Sequence, residues 1–228
     1  MRDGYNEAPV NPLPPVVWLL ILPIAAMEIA LNAGAYGLAG GQLGVGWRSD
    51  ALQRFALSPE MLDQMLTTGQ FNADYAMRFV TYPVVHGNLT HALMAAVFIL
   101  ALGKFVGEVY RAWAVLAVFF GAVIVGGVAY SLVPGLRFPL YGAYPGAYGL
   151  IGAFTFIIWA RLGAAHENRA RAFTLIGFLL GIQLLFGAIF GGAPDWIADL
   201  AGFATGFALS FVVGPGGPAH LLRLIRQR

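Results

Sequence analysis

The sequence has 228 residues, of which 59% are hydrophobic and only 11% are charged. Soluble domains average about 45–50% apolar and about 25% charged residues, so this composition excludes a soluble globular domain and a disordered chain. The absence of cysteine excludes disulfides, cysteine-ligated metal centres and thiol catalysis. The net charge of +2 gives no basic surface for nucleic acid, and we expect no nucleic-acid partner.

Six apolar segments predict membrane-spanning helices. The predicted spans are 14–36, 89–109, 112–132, 146–159, 173–190 and 196–213. They predict an all-α membrane protein with a single six-helix membrane domain over residues 14–213. A short N-terminal segment, 1–13, would precede this domain, and a basic tail, 214–228, would follow it.

The basic residues predict the orientation in the membrane. With six spans, nine of the 13 Lys and Arg residues fall on the side that carries both termini, and four fall on the opposite side. The positive-inside rule then predicts that both termini are cytoplasmic. The first 15 residues are neither arginine- nor serine-rich, which disfavours organelle import and favours a bacterial inner membrane.

The first extracytoplasmic loop, between spans one and two, is unusually long. Ser58, Pro59 and Glu60 resemble the start of a helix, and we expect a short amphipathic helix from Pro59 to Thr68. Its apolar face would comprise Met61, Leu62, Met65 and Leu66. Such a helix would lie at the membrane interface, half-buried in lipid or against the bundle, although an irregular loop is the alternative.

Polar residues inside the spans are candidate functional groups, because hydrocarbon penalises them unless they are paired. Glu28 and Asn32 lie four residues apart and could bond to each other or to a neighbouring helix. Gln183 is expected to form a hydrogen bond between helices. His86 and His91 are about 140° apart around a helix, so this pair predicts no metal or haem site, and no cofactor is expected.

Small residues recur at helical spacing in spans four and six. They are Gly146, Gly149 and Gly152 in span four, and Ala198, Gly202 and Gly206 in span six. Such stripes allow two helix backbones to approach closely, which predicts that spans four and six pack against each other. Asp199 lies on span six about one turn inside Trp196, where its carboxylate needs a hydrogen-bond donor or becomes protonated.

Three motifs in the right order resemble the rhomboid superfamily of intramembrane serine proteases. They are Arg78-x-x-Thr81 with His86-Gly-Asn-Leu-x-His91, then Gly146-Ala-Tyr148-Gly149, and finally Ala198-Asp199-x-x-Gly202-x-x-x-Gly206. The long first loop and six spans also fit. The resemblance implies a rhomboid-like bundle over about residues 14–213.

The resemblance also implies three catalytic positions, and this sequence departs from the family at all of them. Where active relatives carry a nucleophilic serine, a histidine base and an oxyanion-binding asparagine, this chain has Tyr148, Asp199 and Ala95. His86 and His91 are retained. The resemblance therefore implies a degenerate site with no catalytic residues. Ser131 is the one serine that could lie near these histidines on the outer side.

We expect the Tyr148 phenol and the Asp199 carboxylate to bond to each other or through a water, with His86 or His91 as a second partner for Asp199. In the alternative arrangement, Tyr148 fills the former catalytic cavity and Asp199 faces the outer water.

Inactive relatives recognise membrane clients, so the resemblance implies a protein that binds transmembrane helices of partner or client proteins. It could act as a scaffold, an assembly factor or a subunit of a larger membrane complex, surrounded by lipids. Its docking side would be the face of spans two and five, where active relatives admit substrate. The alternatives are an intramembrane endopeptidase with an atypical site and a small transporter.

Overall fold

The computed structural model describes residues 12–191 and 194–215. Within these residues, six helices are long and apolar enough to cross a membrane, which confirms the predicted all-α six-span bundle. The spanning helices are α1 (Pro15–Ala35), α6 (Leu89–Gly107), α7 (Ala112–Ser131), α8 (Tyr144–Ala164), α9 (Thr174–Phe190) and α10 (Trp196–Val213). Most of the predicted terminal segments, including the basic residues of the C-terminal tail, lies outside the described residues.

The long first loop folds into four short helices, α2 (Gly41–Gly44), α3 (Trp47–Phe55), α4 (Pro59–Thr68) and α5 (Ala73–Thr81), followed by a 3-10 turn, Tyr82–Val84. The bounds of α4 match the predicted amphipathic helix. Leu62 and Met65 pack against the main core, where α4 meets α7, while Leu66 is exposed. The helix therefore lies against the bundle, one of the two positions expected for it.

The fourth span is longer than predicted, because it continues to Ala164 and does not stop at residue 159. Arg161 marked the end of the apolar segment in the sequence, but it lies in the last turn of α8, where the helix dipole favours a cation. The 3-10 segment Arg169–Phe173 packs against this end. There the Arg169 guanidinium lies over the Trp159 ring, 4.4 Å from its centroid.

Helices α7, α8 and α10 form the centre of the bundle, and α1 and α6 pack beside them. Glycines make the contact between α8 and α10 close. A Cβ at Gly206 would collide with the carbonyl oxygen of Gly149, and one at Gly202 would collide with the carbonyl oxygen of Pro145. Phe119, from α7, packs against Gly146 at the start of α8. The backbones of α8 and α10 therefore touch at the small residues that recur along these two helices.

Helix α9 lies at the edge of the bundle. Only 11% of the apolar window in this span is buried, against 50% for α8. It packs chiefly against α10 and the preceding 3-10 segment. A Cβ added at Gly177 or Gly181 would meet no atom within 4 Å. The apolar contacts of α9 with the core come from Ile176, Leu175, Leu179 and Leu180, near the start of the helix.

Candidate functional site

The start of α8 is held in place by hydrogen bonds from the first loop. Leu57 and Leu140 exchange backbone hydrogen bonds of 2.9 and 2.8 Å. The N–H of Gly142 donates to the carbonyl of Tyr82 at 3.0 Å. Gly142 has a φ of +94°, a conformation that glycine adopts without a steric penalty. The segment leading into α8 therefore has a fixed path, which positions Tyr148 one turn inside the helix.

Three polar side chains from three helices meet inside the bundle. The Tyr148 hydroxyl, on α8, donates to Oε1 of Gln183 on α9 at 3.1 Å. The Nε2 amide of Gln183 donates to Oδ2 of Asp199 on α10 at 2.8 Å. Tyr148 is 4% exposed and Asp199 is 2% exposed. We call this arrangement the Tyr148–Gln183–Asp199 link.

The link differs from the direct bond that was expected between Tyr148 and Asp199, because the carboxamide of Gln183 bonds to both side chains. A carboxamide carries both a donor and an acceptor, so Gln183 satisfies both groups at once from a third helix. The burial of Asp199 also excludes the alternative in which its carboxylate faces the outer water. The predicted interhelical hydrogen bond of Gln183 is confirmed, but its two partners were not identified from the sequence.

The two histidines lie at the N-terminal end of α6, beside the segment that enters α8. His86 is fully buried, and its Nε2 accepts from the backbone N–H of Ala143 at 3.2 Å. Burial lowers the pKa of His86 to about 4, so the imidazole is neutral at physiological pH. His91 stacks on Tyr144, with ring centroids 5.0 Å apart. The donor to Asp199 is Gln183, and among the described residues no hydrogen bond joins Asp199 to His86 or His91, the expected second partner.

The comparison with known proteins decides the family. A family model described as "Rhomboid domain" matches residues 73–216, which include α6 to α10 and all three residues of the link. The chain belongs to the rhomboid family. It is also similar to mouse (Mus musculus) rhomboid-related protein 2, with 25% identity over 154 residues. That match covers 68% of this chain and 46% of the relative, so the chain spans about half the length of the mouse rhomboid.

Ala95, at the position where the family resemblance implies an oxyanion-binding asparagine, is a fully buried residue on α6. Its methyl side chain offers no hydrogen-bond donor.

Ser131 ends α7 and lines a cavity of about 350 Å³ between α4 and the end of α7. The described residues that line this cavity include no histidine. Among the described lining residues, the structure therefore does not bring Ser131 together with a histidine in that cavity.

A buried ion pair ties the first loop of this rhomboid protein to α1. Arg48 donates to both carboxylate oxygens of Glu28, at 2.8 and 2.9 Å, and to the carbonyl oxygen of His86 at 2.7 Å. The Glu28 carboxylate raises the pKa of Arg48. Asn32 donates to the same carboxylate at 2.9 Å, which confirms the predicted pairing of Glu28 with Asn32.

Sequence reasoning missed Arg48 entirely. The only signal for this ion pair was that Glu28 has no basic partner on its own helix. Arg48, in the segment that follows α1, was a candidate partner. Through the His86 carbonyl and the bond from Ala143 to the His86 ring, this ion pair is connected to the start of α8.

Proposed function

We propose that this rhomboid protein is a non-catalytic member of the family that binds transmembrane helices of partner or client membrane proteins. The observation that carries the proposal is the Tyr148–Gln183–Asp199 link, at the positions where the resemblance implies a serine and a histidine. Its role would be that of a scaffold, an assembly factor or a subunit of a membrane complex.

The chemistry of the link supports a loss of hydrolysis. A neutral phenol with a pKa near 10 in water is a poor nucleophile unless a base removes its proton. Here the Tyr148 hydroxyl donates to an amide oxygen, which is too weak a base for that task. Ala95 adds nothing to oxyanion binding, and loss of one oxyanion donor alone raises the barrier of acyl-transfer enzymes by about 3–4 kcal/mol.

The surface of α6 and α9 supports a role in binding other helices. Phe178 on α9 and Val97 on α6 are 64% and 58% exposed. Gly177 and Gly181 form a small-xxx-small pair on α9 with open space around both positions. Helices associate in lipid through close packing at such small residues, so this face of the bundle suits a transmembrane helix of a partner.

The proposed setting is a bacterial inner membrane with both termini in the cytoplasm. The support is the distribution of Lys and Arg among the loops, since the positive-inside rule sets the orientation of multi-span proteins. In this orientation the start of α8 and the two histidines face the outer side.

Site-specific photo-crosslinking in native membranes tests the proposal. A photoreactive phenylalanine analogue is placed at Phe178 on α9, at Val97 on α6, or at Leu19 on α1. Leu19, which is 63% exposed, is the matched control on another helix. We expect discrete adducts with a membrane protein from the first two positions and none from Leu19. The same adducts from all three positions, or none from any, would contradict the proposed docking face.

A further inference from the structure

A cleft of about 650 Å³ opens between the start of α6, the segment entering α8 and the start of α10. Its lining includes Tyr144 and Asp195, each one helical turn before Tyr148 and Asp199, but none of the three residues of the Tyr148–Gln183–Asp199 link. The cleft therefore lies on the outer side of the link, and among the residues named for the degenerate site its lining includes only His91.

One wall of the cleft suits a cation. The Asp195 side chain is exposed, and within residues 12–191 and 194–215 no basic side chain forms an ion pair with it. Partial desolvation raises the pKa of Asp195, and a cation in the cleft would offset the cost of the charged carboxylate. Tyr141 and Tyr144 add aromatic rings around His91, at centroid distances of 5.9 and 5.0 Å. Aromatic rings beside a carboxylate attract ammonium groups.

The start of α6, on the same cleft, suits an anion. Asn88 and Thr90 lie in the lining at the start of α6, and both are exposed. The side-chain oxygen Oδ1 of Asn88 accepts from the backbone N–H of His91 at 2.9 Å. The side-chain N–H₂ group of Asn88 can then donate to a ligand. The Thr90 hydroxyl is a second donor. The N-terminus of the 19-residue helix α6 adds a favourable dipole for a phosphate.

Below this polar rim, the cleft continues onto an apolar surface of the membrane-spanning helix. Met94 lines the cleft and is 48% exposed, and Phe105, farther along α6, is 56% exposed. These positions are spaced along one side of α6, so a hydrocarbon chain that begins in the cleft can lie along the helix.

We propose that this cleft binds the headgroup of a zwitterionic phospholipid, with the ammonium group beside Asp195 and the tyrosine rings and the phosphate at the start of α6. One acyl chain lies along α6. A basic side chain of a peptide would match Asp195 alone, whereas a phospholipid matches Asp195, the start of α6 and the apolar surface below them. The proposal does not depend on whether the protein is catalytic.

Native mass spectrometry of the delipidated full chain tests this site. The protein in detergent is titrated with dioleoyl phosphatidylethanolamine and, separately, with dioleoyl phosphatidylglycerol, which has the same chains and phosphate but no ammonium group. We expect about tenfold tighter retention of phosphatidylethanolamine. Asp195→Asn should abolish this preference, and its amide preserves the shape of the side chain at the start of α10. Asp63→Asn, which changes an exposed carboxylate on α4, is the matched control and should retain the preference.

Two further measurements keep the test decisive. Thr90→Val should weaken retention of both lipids because it removes a phosphate donor, without altering thermal stability. Addition of a lysine-rich peptide should leave phosphatidylethanolamine bound. Equal retention of the two lipids, an unchanged preference in Asp195→Asn, or displacement of the lipid by the peptide would overturn the proposal.

Discussion

At the residue scale, the carboxamide of Gln183 joins α8, α9 and α10 through one donor and one acceptor. A leucine at this position would keep the volume but remove both functions. Asp199 would then lose its donor while remaining 2% exposed, and a buried polar group without a partner is strongly unfavourable.

We therefore expect Gln183→Leu to lower the free energy of unfolding by about 1–3 kcal/mol. Gln53→Leu, which replaces an exposed glutamine on α3, is the matched control and should have little effect. Thermal unfolding of the detergent-solubilised variants measures both. An equal loss in the two variants would show that the link contributes nothing to stability.

The depressed pKa of His86 predicts a pH dependence of stability. Between about pH 6.5 and pH 4 the unfolded chain binds a proton at His86, whereas the folded chain, with a pKa of about 4, does not. Unfolding is therefore favoured as the pH falls through this window, by up to about 3 kcal/mol.

His86→Gln isolates this contribution, because glutamine retains an acceptor for the N–H of Ala143 but does not titrate. His91, Glu28 and Arg48, which also act on His86 electrostatically, are unchanged in the variant. Unfolding curves at a series of pH values should show a weaker acid sensitivity for His86→Gln than for the wild type. Parallel pH profiles would contradict the assignment.

Arg48 offers a third residue-scale prediction, because the Arg48 and Glu28 side chains are only 19% and 7% exposed. Arg48→Met leaves a buried carboxylate without its cation, and we expect a loss of about 3 kcal/mol in the free energy of unfolding. Arg54→Met, on the same helix but with an exposed side chain, is the control. Chemical denaturation that gives the same midpoint for both variants would refute a stabilising ion pair.

At this scale, the sequence identified polar groups better than their partners. The pairing of Glu28 with Asn32 follows from a spacing of four residues on one helix. The bonds of Gln183 and Arg48 depend on which face of one helix turns toward another, and on the folding of a long loop. Neither is encoded in a local spacing.

At the scale of helices, the contact between α8 and α10 depends on the absence of side chains. Gly206→Ala would place a methyl group against the Gly149 carbonyl, and overpacking of this kind destabilises proteins by about 1–3 kcal/mol. Gly187→Ala on α9 meets no atom within 4 Å, so it should be neutral or slightly stabilising. Thermal unfolding distinguishes the two, and a loss in Gly187→Ala equal to that in Gly206→Ala would contradict this packing.

Helix bounds were predictable where the sequence carries a cap or a breaker. Pro59 begins α4 and Gly69 follows its last residue in a left-handed conformation, and α10 runs from Trp196 to Val213, with Gly214 after it. The three other loop helices, α2, α3 and α5, were not predicted, because they are short and are stabilised by contacts with distant segments. The end of α8 was missed for the same reason, since Arg169 packs on Trp159 from the next element.

At the scale of the whole molecule, composition and the order of motifs were sufficient to predict a six-span rhomboid bundle. The family follows from the match over residues 73–216. Whether the molecule still performs hydrolysis is a separate matter, because it depends on three side chains among 228. The proposed answer follows from what Tyr148, Asp199 and Ala95 can do chemically.

A cleavage assay in liposomes tests the proposed loss of catalysis most directly. The purified chain is reconstituted with a single-span membrane substrate, and an active rhomboid protease serves as the positive control. Mass spectrometry should detect cleavage products with the active protease and none with this chain. A product that forms with this chain and disappears in Tyr148→Phe or Asp199→Asn would contradict the proposal.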